Sequence, residues 1–133
     1  DTILLESTDH HAADNSYSFI CINAIGGMEI SDLQRIEYKL PGQTPERVSI
    51  QRPEEVPDQL WNFMQRFEVV EPGDKIKGFA QGLFGYTTYD AVQFFDTIRF
   101  SEKKGTETTI PLMRYRLYQY VIAINHFKDE LYL

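Results

Sequence analysis

Cysteine is nearly absent from these 133 residues: Cys21 stands alone. No internal disulfide can therefore staple the chain. Set in the run SYSFICINAI (16–25), the thiol reads as a small buried hydrophobe rather than a nucleophile. Long apolar runs are missing too, since no window approaches the roughly 18 residues of a membrane-spanning helix. The first residues lack the basic-then-apolar layout of a secretory signal. A soluble, cytoplasmic protein is the expectation. Basic residues are also in short supply, 13 Lys and Arg against 20 Asp and Glu, for a formal charge of −7. Tracking a phosphate backbone needs a basic stripe that releases counterions, and adhesion to anionic lipid needs the same sign of surface. Neither nucleic acid nor membrane is expected as a partner.

The familiar catalytic signatures are missing as well. HExxH, GxGxxG, the P-loop with its Lys-Ser/Thr and GxSxG do not occur. Gly78, Gly82 and Gly85 run G-x3-G-x2-G, a spacing that reads as close backbone packing rather than phosphate binding. His10 and His11 are adjacent, so they diverge in any regular element. Asp9 and Asp14 share their polar loop, and His126 is remote. All three histidines read as solvated loop residues, not metal ligands. Glu54, Glu55 and Asp74 carry no spacing that marks a carboxylate pair across a cleft. Tyr86, Tyr89, Phe94, Phe95, Tyr115, Tyr118 and Tyr120 read as core packing rather than stacking platforms for bases. No self-contained active site emerges.

What is present is the material of a folded domain: 42% hydrophobic and 14% aromatic residues in a chain long enough for one core. Residues 2–6 read as a short buried strand and 8–16 as a loop. Residues 17–25 carry apolar side chains on both faces, as an interior strand does. Gly26-Gly27 offers hairpin-turn chemistry, with strand-like segments at 28–30 and 35–40 and a loop at PGQTP (41–45). Val56, Leu60, Phe63, Met64 and Phe67 form one stripe at the helical period. Pro53 and Pro57 suit its start, and Glu54, Glu55 and Asp58 suit the positive end of its dipole. After a turn at EPGD (71–74), residues 78–90 read as a glycine-dotted strand. A helix over 90–98 follows, with Asp90 as cap and Gln93 in the capping-box position. A charged loop (101–109) precedes a long strand (112–126), a turn at 127–129 and a returning strand at 130–133. Strands with few, dispersed helices predict an α+β fold built on a largely antiparallel mixed sheet. Both ends run directly into strand-like residues, so the chain is expected to be a piece of a longer protein.

Ile3-Leu4-Leu5-Glu6-Ser7 carries the sharpest functional contrast. It is either the polar exit of a strand or the polar edge of a ligand pocket. An amino-acid ligand brings an ammonium that wants a carboxylate, a carboxylate that wants N–H or O–H donors, and a side chain that wants an apolar wall. Leu4-Leu5 as wall and Glu6-Ser7 as polar edge offer all three. From composition alone the polar exit of a strand is the favoured reading.

LLES (4–7), YSFI (17–20), GLFGYTTYDAVQFFD (82–96) and INHFKDELYL (124–133) occur in that order. Together they resemble the N-terminal region of anthranilate synthase component I, over essentially the whole chain. The resemblance implies residues 1–133 as the N-terminal domain of a larger two-sheet chorismate-enzyme architecture. Its partners would be the C-terminal chorismate-binding domain of the same chain and a glutamine amidotransferase subunit supplying ammonia. It implies no catalytic residue and no cofactor here, because Mg²⁺ and the chemistry belong to the C-terminal domain. It also implies L-tryptophan as feedback inhibitor, with Leu5, Glu6 and Ser7 at the regulatory pocket. Some members carry a basic residue just before the serine of the second strand, where this chain reads Asn15-Ser16-Tyr17-Ser18. Aminodeoxychorismate synthase is the neighbouring family reading, and a stand-alone amino-acid-binding module is the alternative of a different class.

Overall fold

The computed structural model describes residues 1–6, 16–69, 81–101 and 110–133. Within them lie seven strands: β1 (Thr2–Glu6), β2 (Tyr17–Asp32), β3 (Arg35–Lys39), β4 (Glu46–Ser49), β5 (Phe84–Thr87), β6 (Met113–Asn125) and β7 (Glu130–Tyr132). One α-helix, α1 (Val56–Met64), follows a 3₁₀ turn at Pro53–Glu55, and a second 3₁₀ segment spans Tyr89–Phe94. The strands form one sheet in the order β4-β3-β2-β6-β5, with β1 also on β2 and β7 also on β6. Every described pairing is antiparallel. The α+β class and the largely antiparallel sheet are as expected, while the parallel component of a mixed sheet is not found among the described strands.

The centre is the long pairing of β2 with β6. Here the expected turn at Gly26-Gly27 is corrected, because both glycines lie inside β2. Gly27 sits at φ +151, a backbone conformation side chains rarely adopt, and a Cβ there would meet the Arg116 Cα at 2.8 Å. Its bareness serves close strand approach, not chain reversal. A bulge between Ala24 and Gly26 bends β2 next to Asn23, itself at φ +63. The reversal comes at Leu33-Gln34 instead. There the Gln34 N–H donates to Asp32 Oδ1 at 2.8 Å, and Arg35 pairs with the same carboxylate. This is side-chain-to-backbone turn chemistry of the kind Asp supplies.

One face of the sheet buries Met28, Ile30, Ile36, Tyr38 and Met113 against Val56 and Phe63 of the helical segment and Ala91 and Phe94 of the second 3₁₀ segment. The helix is shorter than its stripe. It ends at Met64, and Phe67 instead packs edge-on to Phe63 with ring centroids 5.2 Å apart. Strand β4 was not anticipated: ERVS offers only Val48 as an apolar residue to the core edge.

The helix expected over 90–98 is a six-residue 3₁₀ segment, and Asp90 does not cap it. Thr88 occupies the cap position but donates its hydroxyl to the Leu112 carbonyl, tying the segment to β6. Gln93 is buried. Its amide donates to the Asp90 carbonyl, and its Oε1 accepts the Phe100 N–H. Phe94 and Tyr118 are core residues as expected. Tyr89 is 80% exposed, and Phe95 and Tyr120 are also exposed, which corrects the core reading for those three. Turn EPGD, Gly78 and the loop over 102–109 lie outside the described residues.

Cys21 is fully buried, and burial pushes its thiol pKa up. The folded protein is therefore expected to resist alkylation by iodoacetamide at pH 8 and to react completely in urea. Mass spectrometry of the two reactions checks this, and rapid labelling of the folded chain would contradict the burial.

Candidate functional site

Strand β1 lies antiparallel on the first residues of β2, pairing Thr2 with Ile22, Leu4 with Ile20 and Glu6 with Ser18. It is not the buried strand its composition implied. Burial alternates along it: Leu4 is 56% exposed and Glu6 is exposed, while Ile3 and Leu5 are half-buried. Alternation sends Ile3 and Leu5 to the side of their partners Cys21 and Phe19. Leu4 and Glu6 go to the opposite, outer side. The apolar wall beside Glu6 is thus Leu4, and a ligand touching both Leu5 and Glu6 must reach the edge or end of the strand. Ser7 lies outside the described residues, as do Asp9, His10, His11 and Asp14.

The register extends this outer side across four strands. Glu6 faces Ser18, Ser18 faces Ile124, and Ile124 faces Leu131. The neighbouring rows are Leu4, Ile20 and Ile122, then Thr2, Ile22 and Tyr120. One polar corner therefore borders an apolar sheet surface, on which Leu4, Ile22, Tyr120 and Leu131 are exposed.

His126 is the exposed turn residue expected, and the pairing of β2 with β6 brings it to that corner. Its Nε2 is 2.7 Å from the Ser18 hydroxyl, and Ser18 is buried. The turn that carries it is fixed from below by Asn125. The buried Asn125 amide donates to the Tyr17 phenol at 2.9 Å, and its Oδ1 accepts the Phe127 and Lys128 N–H groups at 3.0 and 3.1 Å. The His126 N–H donates to the Ser16 carbonyl. Two consecutive residues, each hydrogen-bonded back to the start of β2, hold the imidazole 108 positions from its hydroxyl partner. Nothing in a single sequence shows that register, so the histidine could be found only from the pairing of β2 with β6.

Among the described residues Glu6 has no ion pair. No group of three or more His, Cys, Asp or Glu there is arranged to hold a metal, and no helix is long and apolar enough to cross a membrane. Two open clefts lie elsewhere. One of about 380 Å³ is lined by Glu29, Asp32, Arg35, Glu37 and Arg47, and one of about 550 Å³ lies between the end of α1 and β6. In the first, the carboxylates of Asp32 and Glu37 are already paired with Arg35 and Arg47.

Compared with known proteins, the chain matches no family model, no curated protein and no solved structure.

Proposed function

We propose that this chain is the N-terminal regulatory and scaffolding part of anthranilate synthase component I. That enzyme forms anthranilate from chorismate in tryptophan biosynthesis, in the cytoplasm. In this reading the sheet packs onto a C-terminal chorismate-binding domain in a two-sheet architecture, and a glutamine amidotransferase subunit delivers ammonia. Magnesium belongs to the chorismate-binding domain in that family, and no residue of this chain is assigned to it. Leu5, Glu6 and Ser7 contribute to a pocket at which L-tryptophan inhibits the enzyme.

The observation that carries the reading is the polar corner at the end of β1. Glu6, which has no ion pair among the described residues, offers its carboxylate to an ammonium group beside an apolar surface begun by Leu4, Ile20 and Ile124. That is the complementarity an apolar α-amino acid requires. Order along the chain supports it as well: Leu4, Leu5 and Glu6 of LLES lie on β1, the GLFGYTTYD block runs through β5, and INHFKDELYL spans the turn from β6 to β7.

Inhibition is then heterotropic, with tryptophan favouring a state whose distant chorismate site is less competent. Couplings of that kind amount to about 1–3 kcal/mol. The test is L-tryptophan inhibition of anthranilate formation in the full-length enzyme. Glu6→Gln or Ser7→Phe is expected to raise the half-inhibiting concentration at least about tenfold, in line with loss of a charge-assisted contact. Unchanged inhibition in both variants would remove β1 from the regulatory site.

A further inference from the structure

Glu6 can answer only the ammonium of an amino acid, and the ligand's carboxylate needs a partner of opposite sign. Resting on the reading of the β1 end as an amino-acid site, we propose that His126 binds that carboxylate, so that ligand affinity rises on acidification. Three features point to it. The imidazole is exposed, while the Ser18 hydroxyl that holds its Nε2 at 2.7 Å is buried. Ser18 also faces Glu6 directly across the β1–β2 pairing. Directly opposed residues have Cβ atoms about 5 Å apart, so Glu6 and the Ser18 hydroxyl that holds the imidazole are neighbours on the outer side of the sheet. Finally, Nδ1 of His126 has no hydrogen-bond partner among the described residues and is the ring's second donor.

Protonation decides what this arm does. In neutral imidazole one nitrogen donates and the other accepts, so Ser18 and a ligand share a single N–H. In imidazolium both nitrogens donate. Nε2–H then donates to the Ser18 oxygen, and Nδ1–H carries a full positive charge toward the carboxylate. Imidazole is the side chain whose charge changes between pH 5 and 8. Around the arm, β1 contributes Glu6 and β2 contributes the Tyr17 phenol. The turn contributes Lys128 and Asp129, and β7 contributes Glu130 and Tyr132. Of these Lys128 alone is a fixed cation, and among the described residues around the arm the imidazole is the one side chain of the kind that changes charge between pH 5 and 8; His10 and His11 lie outside the described residues. Ser18 is a positioning residue, and His126 is the contact.

The experiment measures binding by calorimetry to the intact protein that contains this sequence, at pH 5.5 and pH 8.0. The probes are L-tryptophan and tryptamine, which keeps the ammonium and the indole but lacks the carboxylate. L-Tryptophan is expected to bind roughly tenfold tighter at pH 5.5, the scale of one charge-assisted hydrogen bond, and tryptamine to show no such gain. In His126→Gln the pH ratio for L-tryptophan is expected to fall to about one. Equal L-tryptophan affinity at both pH values, or a tenfold ratio retained in His126→Gln, overturns the assignment of His126 and leaves the amino-acid site standing. Absence of L-tryptophan binding at either pH overturns the site itself, and this proposal with it. The two probes on the unaltered protein show whether the ligand carboxylate carries the pH dependence, and His126→Asn assigns it to this residue if His126→Gln does not fold.

Discussion

Gly85→Ala is expected to destabilise the protein by about 3 kcal/mol or more, enough to leave a marginal domain unfolded. Gly85 sits in β5 opposite Tyr115 of β6. A Cβ built on it falls inside the contact shell of the Arg114 carbonyl oxygen, 2.7 Å from the Arg114 carbonyl carbon and 2.8 Å from the Tyr115 Cα. All three atoms are backbone of the central strand, so no rotamer change relieves the clash. Relief requires lifting β5 off β6. That movement pulls on the 3₁₀ segment that follows, whose Phe94 is 2% exposed in the core. Gly82→Ala is the matched control, since a Cβ there meets nothing within 4 Å, and it is expected to change stability by no more than about 0.5 kcal/mol. Urea unfolding of the two variants measures the contrast. If Gly85→Ala came within 1 kcal/mol or so of Gly82→Ala, β5 would not be seated on β6 as described.

The same glycine shows where a sequence stops being informative. Packing was the right reading of Gly85, but the G-x3-G-x2-G spacing could not tell it from Gly82, where an added Cβ meets no described atom within 4 Å. The difference lies wholly in which strand runs alongside. Gly26-Gly27 failed for a related reason. Turn chemistry and close strand approach both select glycine, and only the partner strand decides between them. Periodicity succeeded where the signal was local, as for the interior character of β2 and the apolar stripe of α1. It overshot at Phe67 because the stripe continues one turn beyond the last helical hydrogen bond. At the candidate site, LLES marked Glu6 on its own strand. Alternation, not composition, moved Leu5 to the other side of the sheet. His126 entered only through a pairing across 108 positions.

Glu29→Gln carries the second large effect. Glu29 lies between Met28 and Ile30 on β2, so alternation turns it away from the core face. On that outer side Arg114 Nε donates to its Oε2 at 2.9 Å, and an Arg116 terminal N–H donates to the same oxygen at 2.5 Å. The Glu29 and Arg116 side chains are only 18% and 17% exposed. Glu37 faces Glu29 directly across β3, a like-charge contact that these guanidiniums offset. Burial by itself pushes the Glu29 carboxyl up, but the hydrogen bonds and charges of Arg114 and Arg116 outweigh it and hold the pKa below the usual carboxylate range. A carboxylate depressed on folding stabilises the folded state above its unfolded value, near 4.3, and loses that contribution as pH falls through the folded value. The neutral amide leaves the little-exposed Arg116 with only the more distant Asp1 carboxylate, 3.7 Å away, a loss of about 3 kcal/mol at pH 7. As pH falls below the unfolded value and on through the folded one, the unaltered protein surrenders the same charge, so the two stability curves are expected to draw together. Glu37→Gln removes the open pair with Arg47, which is 76% exposed, while relieving the like-charge contact with Glu29, and is expected to cost at most about 1 kcal/mol. Urea midpoints from pH 7 down to pH 3 separate these outcomes. A Glu29→Gln deficit that stayed constant over that range would mean the residue acts through shape rather than charge, and the arginine pair would then need another account of how it is neutralised.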